Sequence, residues 1–275
     1  MELGMKKSKL IIIFAVPALV LGLTVMTFAG RRLNETRQVY REGNSVYDNL
    51  SNQIRKLPSV ETQPLNTMEI AGVEVTTMQA GEPRMNIYIP EYEIDFEMLR
   101  TINGDATAWL YSPGTVIDYP VLKADDYYYY LNHLIDGTTN ANGSLFIDYN
   151  NAPDFSDRLT VIYGHHMKSG SMFGSLVGYK DQQYYNEHPY MYLYTEQGNY
   201  RIDLMYGVVI GAGQWKEQAF MYEENLEALL EYAMNNTTFV SEVNTQEGDR
   251  IVVLSTCSYE FDEARYFVVG RLIRD

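Results

Sequence analysis

Hydrophobic and polar positions fall into three regimes along the chain. From Leu10 to Gly30 there is no charged residue, while Lys6, Lys7 and Lys9 precede the stretch and Arg31 and Arg32 close it. A bilayer span needs about 20 apolar residues, and a cleaved signal peptide has a shorter apolar core. The stretch is therefore expected to be an uncleaved membrane anchor, with the lysines and the α-amine favouring the N-terminus inside and the body outside. Between residues 33 and 57 the period becomes helical: Val46, Tyr47, Leu50, Ile54 and Leu57 recur at spacings of three and four, making one apolar face that Pro58 ends. That helix either packs on the main body or stands as a stalk. Residues 58–84 turn polar and carry Pro64, Gly72, Gly81 and Pro83, the composition of a linker with at most one short strand.

From about residue 86 the period shortens to that of strands. Extended runs are expected at Asn86–Pro90, Thr107–Tyr111, Ile117–Leu122, Gly143–Asp148, Leu159–Tyr163, Met191–Thr195, Tyr200–Ile210 and Ile251–Cys257, with a final run headed by Arg265. Short helices are expected at Asp95–Ile102, at Asp125–Leu134 and, inside a long insertion from Gln214 to Val243, at Glu223–Met234. The second holds four consecutive tyrosines, Tyr127–Tyr130, read as two buried and two exposed. Many short strands with few helices indicate a β-barrel or sandwich decorated by helices.

Composition narrows the functional classes. The net charge of −15 is uneven: residues 1–57 hold nine basic and four acidic side chains, residues 58–275 twelve basic and thirty-two acidic. An acidic body argues against nucleic acid as partner and suits a cationic partner or a solubilising surface. A single cysteine excludes an internal disulfide, and one cysteine with four histidines, without CxxC or HExxH, makes no zinc site. No cofactor is expected.

That cysteine, Cys257, closes the apolar run Ile251–Leu254 after Ser255 and Thr256, and Arg265 opens the next apolar run. The arrangement reads either as a nucleophile beside a fixed positive charge or as a small buried thiol. A thiol is nucleophilic only as thiolate and needs a group to hold its proton. His165 and His166 follow Gly164 where another strand ends; His165 is 92 residues before Cys257, so only the fold can join them. His133 and His188 lie in polar contexts and read as solvated. No Asp or Asn is placed to orient the histidine as in a papain-like triad.

The segment Leu-Ser-Thr-Cys257 with Arg265 eight residues on resembles the signature of sortases. Tyr163-Gly-His165-His-Met-Lys-Ser-Gly-Ser-Met-Phe-Gly174 resembles the histidine segment of the class B members. Ile117–Val121, Tyr129–His133, Gly143–Asp148, Tyr184–Pro189 and the helix-bearing insertion extend the likeness over about residues 86–273. The resemblance implies an eight-stranded β-barrel cysteine transpeptidase on the outer face of a Gram-positive membrane. It assigns residues 1–32 to a cytoplasmic tail and transmembrane anchor, 33–85 to a helical segment and linker, and 86–275 to the catalytic barrel. It makes Cys257 the nucleophile, His165 the acid/base and Arg265 the support of substrate and intermediate, with Ser255 and Thr256 lining the substrate groove.

The implied substrates are surface proteins with a C-terminal sorting signal, cut at a Thr–Gly bond, and the implied acceptor is an amine of a peptidoglycan cross-bridge or precursor. Val253 departs from the pattern, standing where threonine is usual. A pilin-polymerising enzyme is the nearest alternative, but residues 33–90 hold no Asp-Pro-x-aromatic lid motif. A catalytically idle, membrane-tethered barrel is the other.

Overall fold

The computed structural model describes the backbone of residues 2–56, 92–217 and 220–274, and the side chains of residues 21–56, 92–216 and 220–274. Eight strands form a closed barrel. They are β1 Ala106–Tyr111, β2 Asp118–Lys123, β3 Leu145–Ile147, β4 Leu159–Tyr163, β5 Tyr190–Thr195, β6 Gly198–Gly211, β7 Arg250–Cys257 and β8 Ala264–Arg274. Their order around the barrel is β8-β6-β5-β1-β2-β3-β4-β7, closing on β8. Two pairings, β2 with β3 and β4 with β7, are parallel, and the rest are antiparallel. Closure removes every free sheet edge, so the interior can be wholly apolar. Trp109, Val161, Leu193, Ile202, Val252, Leu254 and Val268 are all fully buried.

The expected strands between residues 107 and 269 are all present, each within a few residues of its expected bounds. The expected strand at Asn86–Pro90 and the linker 58–84 lie outside the described residues. Helix α2, Phe96–Ile102, starts where Asp95 accepts the amide of Met98 at 2.9 Å, an N-cap. The tyrosine segment forms only one 3₁₀ turn, Tyr129–Leu131. Its side chains divide as expected: Tyr130 is buried, Tyr127 half-buried, Tyr128 and Tyr129 exposed. The insertion carries α4, Ala212–Glu217, and α5, Leu226–Asn236; between β4 and β5 lies a short helix α3, Gln182–Glu187.

The N-terminal helix α1 runs Glu2–Ile54. Gly43, Tyr47, Leu50 and Ile54, at spacings of four and three, form a stripe buried against the barrel. Of the helical pattern expected to Leu57, that last residue lies outside the described residues. After Ile54 the chain pairs Arg55–Lys56 with Glu93–Ile94. The Arg55 guanidinium lies 2.7 Å from Asp118 and over the rings of Tyr92 and Tyr111 at 4.2 and 5.2 Å. Asp118 also accepts Trp109 Nε1 at 2.7 Å and Ser51 Oγ at 2.9 Å, so one carboxylate ties α1 to β1 and β2.

The expected membrane anchor over Leu10–Gly30 is corrected. Among the described residues no helix is long and apolar enough to cross a membrane. With the anchor go the membrane as a partner through the N-terminal helix and the single-pass placement with an extracellular catalytic domain. Arg31, Arg32, Glu35, Arg37 and Arg41 then continue the same helix as a charged one. Residues 10–20 lie outside the described side chains.

Truncating Ile54, fully buried at the end of the α1 stripe, removes packing that the barrel wall cannot refill. Ile54→Ala is expected to lower unfolding stability by about 2–5 kcal/mol, read as a shift of the urea midpoint. A midpoint within error of wild type would mean that α1 is not part of the barrel core.

Candidate active site

The barrel wall places three side chains by register alone. On β7 every residue from Ile251 to Thr256 is buried, and Cys257, the last, is exposed. Across the antiparallel pair with β8, Cys257 stands opposite Arg265. Directly opposed residues share a face, with Cβ atoms about 4.5–5.5 Å apart, so the guanidinium rises beside the thiol. On the other side β4 runs parallel to β7, with Leu159 level with Ile251 and Tyr163 level with Ser255. The Gly164 amide donates to Ser255 O at 3.1 Å, and Thr256 Oγ1 donates to Gly164 O at 2.8 Å. The ladder ends at Tyr163, and His165 follows two residues on, past the end of β4, the strand that flanks β7 on the side away from β8.

His165 is half-buried, and its Nε2 lies 2.6 Å from Leu131 O. A carbonyl only accepts, so Nε2 carries the proton and the neutral ring keeps Nδ1 as its acceptor. The ring is oriented by backbone rather than by a carboxylate, in line with the absence of a triad acid in the sequence. The nearby acid Asp148, fully buried, accepts the hydroxyls of Tyr127 at 2.8 Å and Tyr163 at 3.0 Å and the side-chain amide of Asn150 at 2.9 Å. Burial first, then that carboxylate, pushes both phenols well above the usual tyrosine range, so they stay donors.

His166 does something else. Its Nδ1 lies 2.8 Å from Cys257 O, and its ring packs on Tyr259 at 4.8 Å. It grips the backbone of the strand end rather than the thiol. His133 and His188 stay away from the site, held at Nδ1 by Tyr129 O at 2.7 Å and Pro113 O at 2.9 Å.

Strand alternation separates the remaining pair. Ser255 shares the Cys257 face, and its hydroxyl is buried without a hydrogen-bond partner among the described residues; Arg265 Nε on the same face is in the same condition. Thr256 points the other way and ties β7 to Gly164. Val253 is fully buried, paired with Val161 and Val269 across the two neighbouring strands, so no hydrogen-bonding group meets it in register. The insertion walls this face: Trp215 packs on Phe267, two residues past Arg265, at 5.0 Å. Across from it Tyr127 reaches Met221 Sδ at 3.5 Å. Among the described residues no cluster of three or more His, Cys, Asp or Glu could hold a metal ion.

Sequence reasoning missed Lys180. From the 3₁₀ turns after the histidine segment its Nζ donates to Ser258 Oγ at 2.8 Å, forms an ion pair with Glu260, and lies 5.0 Å from the Tyr266 ring centroid. Ser258 also donates to Glu260, and its amide donates to Ala264 O at 2.7 Å. This cluster ties down the turn after the cysteine. Nothing in local pattern marks it, because Lys180 is 78 residues from Ser258.

A family model for the sortase domain matches residues 110–273. The chain is 34% identical to sortase B of Listeria monocytogenes over 64% of this chain and 72% of that protein. It is 29% identical to sortase B of Staphylococcus aureus, covering 65% of this chain and 75% of that one. The X-ray structure of Clostridium perfringens sortase B superposes with a TM-score of 0.61 at 28% identity, over 65% of this chain and all of that one (100%).

Burial pushes the Glu260 carboxyl up, but Lys180 and Ser258 outweigh it and hold it below the usual glutamate range. A carboxyl depressed in the folded state contributes stability above its unfolded value and loses it as pH falls through the lower folded value. Thermal melts from neutral to acidic pH should therefore show wild type above Glu260→Gln at neutral pH and the two converging in acid. Parallel curves would remove Glu260 from the tether.

Proposed function

The chain belongs to the sortase family, and on that premise we propose how its site residues divide the chemistry. It is a sortase-B-type cysteine transpeptidase acting on a C-terminal sorting signal. Cys257 is the nucleophile, His165 the acid/base and Arg265 the fixed charge over the reacting carbonyl. One observation supports this reading: Arg265 stands opposite the exposed Cys257 in the β7–β8 ladder, and His165 follows the end of β4, the strand on the other side of β7.

The Cys257 thiolate attacks the carbonyl of a Thr–Gly bond. Charge develops on the carbonyl oxygen, where the Arg265 guanidinium lies within reach as a donor. Guanidinium stays protonated, so it holds charge and moves no proton. The C–N bond breaks as protonated His165 delivers its proton from Nδ1 to the leaving amine, while Nε2–H stays on Leu131 O. A thioester to Cys257 remains. An amine of a peptidoglycan cross-bridge or precursor then adds to the thioester and gives its proton to His165, and the thiolate leaves. Surface proteins bearing the signal are the acyl donors. Ser255 backs the groove on the Cys257 face, and Thr256 supports the wall from within. No step calls for a cofactor.

Cys257→Ala is expected to abolish the covalent adduct with a sorting-signal peptide, checked by intact-mass spectrometry; a persistent adduct would reassign the nucleophile. Arg265→Lys keeps the charge but not the planar fork. It should lose about 100-fold or more in kcat/KM, the scale of one oxyanion donor, in a fluorogenic pentapeptide panel run with and without an amine acceptor. Near-normal turnover would place Arg265 outside the reacting centre.

A further inference from the structure

The carbonyl that orients His165 belongs to a loop that is itself held by the N-terminal helix. Residues 130–144 fold back so that the Ser144 amide donates to Tyr130 O at 2.8 Å and the Asn140 amide to Asn132 O at 2.9 Å. Gly143, at φ +59°, closes that turn; a Cβ there would stand 2.5 Å from Tyr130 O and 2.8 Å from Leu131 O. Gly143 thus packs directly against the carbonyl that meets His165 Nε2 at 2.6 Å.

Helix α1 grips the same turn. The buried Tyr47 hydroxyl lies 2.7 Å from Gly143 O and 2.8 Å from Ser144 Oγ, and Ser144 Oγ donates onward to His133 O at 2.8 Å. One turn earlier, Asn140 Nδ2 donates to Val39 O at 3.0 Å and Asn142 Nδ2 to Asn44 Oδ1 at 2.8 Å. The helix approaches this closely because residue 43 is glycine: a Cβ there would meet Asn142 Nδ2 at 2.5 Å. Burial pushes the Tyr47 phenol above the usual range, so it remains a donor.

We propose that Tyr47 is a positioning residue for the transfer reaction: through Gly143 and Ser144 it fixes the Leu131 carbonyl, and with it the tautomer and aim of His165. On this account α1 acts on the site through the Tyr47 hydroxyl alone. The inference rests on the reading of His165 as the acid/base.

The full chain carrying Tyr47→Phe tests it, since that change removes one hydroxyl and keeps the ring in its slot. Sorting-signal cleavage should lose about tenfold or more in kcat, on the scale of a misplaced catalytic group, with KM unchanged. The ¹⁵N resonances of the His165 ring should move from a pure Nε2–H tautomer towards a mixture. Leu50→Ala, which loosens α1 by packing alone, should lower the melting temperature and leave kcat and the tautomer as in wild type. Should Tyr47→Phe not fold, Ser144→Ala, which cuts the bond to His133 O, takes its place with the same expectation. Unchanged kcat and tautomer in the hydroxyl variants, or a kcat loss in Leu50→Ala equal to theirs, would overturn the proposal. His165→Ala separates the premise: full activity there refutes the acid/base reading, whereas loss there with normal Tyr47→Phe refutes only the role of the helix.

Discussion

The parallel ladder between β4 and β7 is the constraint on which the site depends. Cysteine and histidine come from segments separated in sequence by β5, β6 and the insertion. Their strands lie side by side because Leu159 is level with Ile251, and the rungs keep that offset as far as Tyr163 and Ser255. A slip of one residue would turn Cys257 from the groove face to the barrel interior, since side chains alternate along a strand. The slip is resisted from both sides. Val161, Val252, Val253, Leu254 and Val268 are fully buried, and the antiparallel ladder to β8 fixes β7 independently. The same packing that makes the barrel stable therefore sets Arg265 opposite Cys257 and the end of β4 beside β7.

Around that site the protein uses backbone and neutral donors where other thiol enzymes use an acid. Leu131 O takes the place of a triad carboxylate at His165, while the buried carboxylate of Asp148 is committed to two phenols and an amide. A carbonyl fixes the tautomer without adding a second negative charge beside a thiolate. It demands a loop that holds still, and the 130–144 segment meets that demand through the turn at Gly143, the bonds of Ser144 and the docked half of α1. On the far side of the thiol, Lys180 steadies the turn after Cys257 in the same indirect way, and His166 holds that residue's own carbonyl.

Much of this was legible in the linear order of residues, and the limits of that legibility are physical. Continuous apolar, β-branched runs marked strands such as β4 and β7, which are buried on both faces, and alternating runs marked those such as β6 with one face outward. The end-of-strand placement of Cys257 and His165 was visible, and so was Arg265 at the head of the last strand. The N-terminal stretch misled because an uncharged run is a statement about composition. Among the described residues no helix is long and apolar enough to cross a membrane, and past Gly30 the same helix continues with Arg31, Arg32, Glu35, Arg37 and Arg41.

What the sequence by itself determined is therefore the set of elements and the chemical groups available: the strands from Thr107 onward, one thiol, a glycine-histidine pair and a strand-leading arginine. Those follow from local preferences, side-chain period and residue chemistry, which each short window carries within itself. What only the tertiary structure decided is which groups meet. The β4–β7 ladder brings Tyr163 level with Ser255, Tyr47 reaches a turn 96 residues away, and Lys180 reaches Ser258. Such pairings are chosen by closure of the barrel and by the filling of its core, and no window of local sequence contains either.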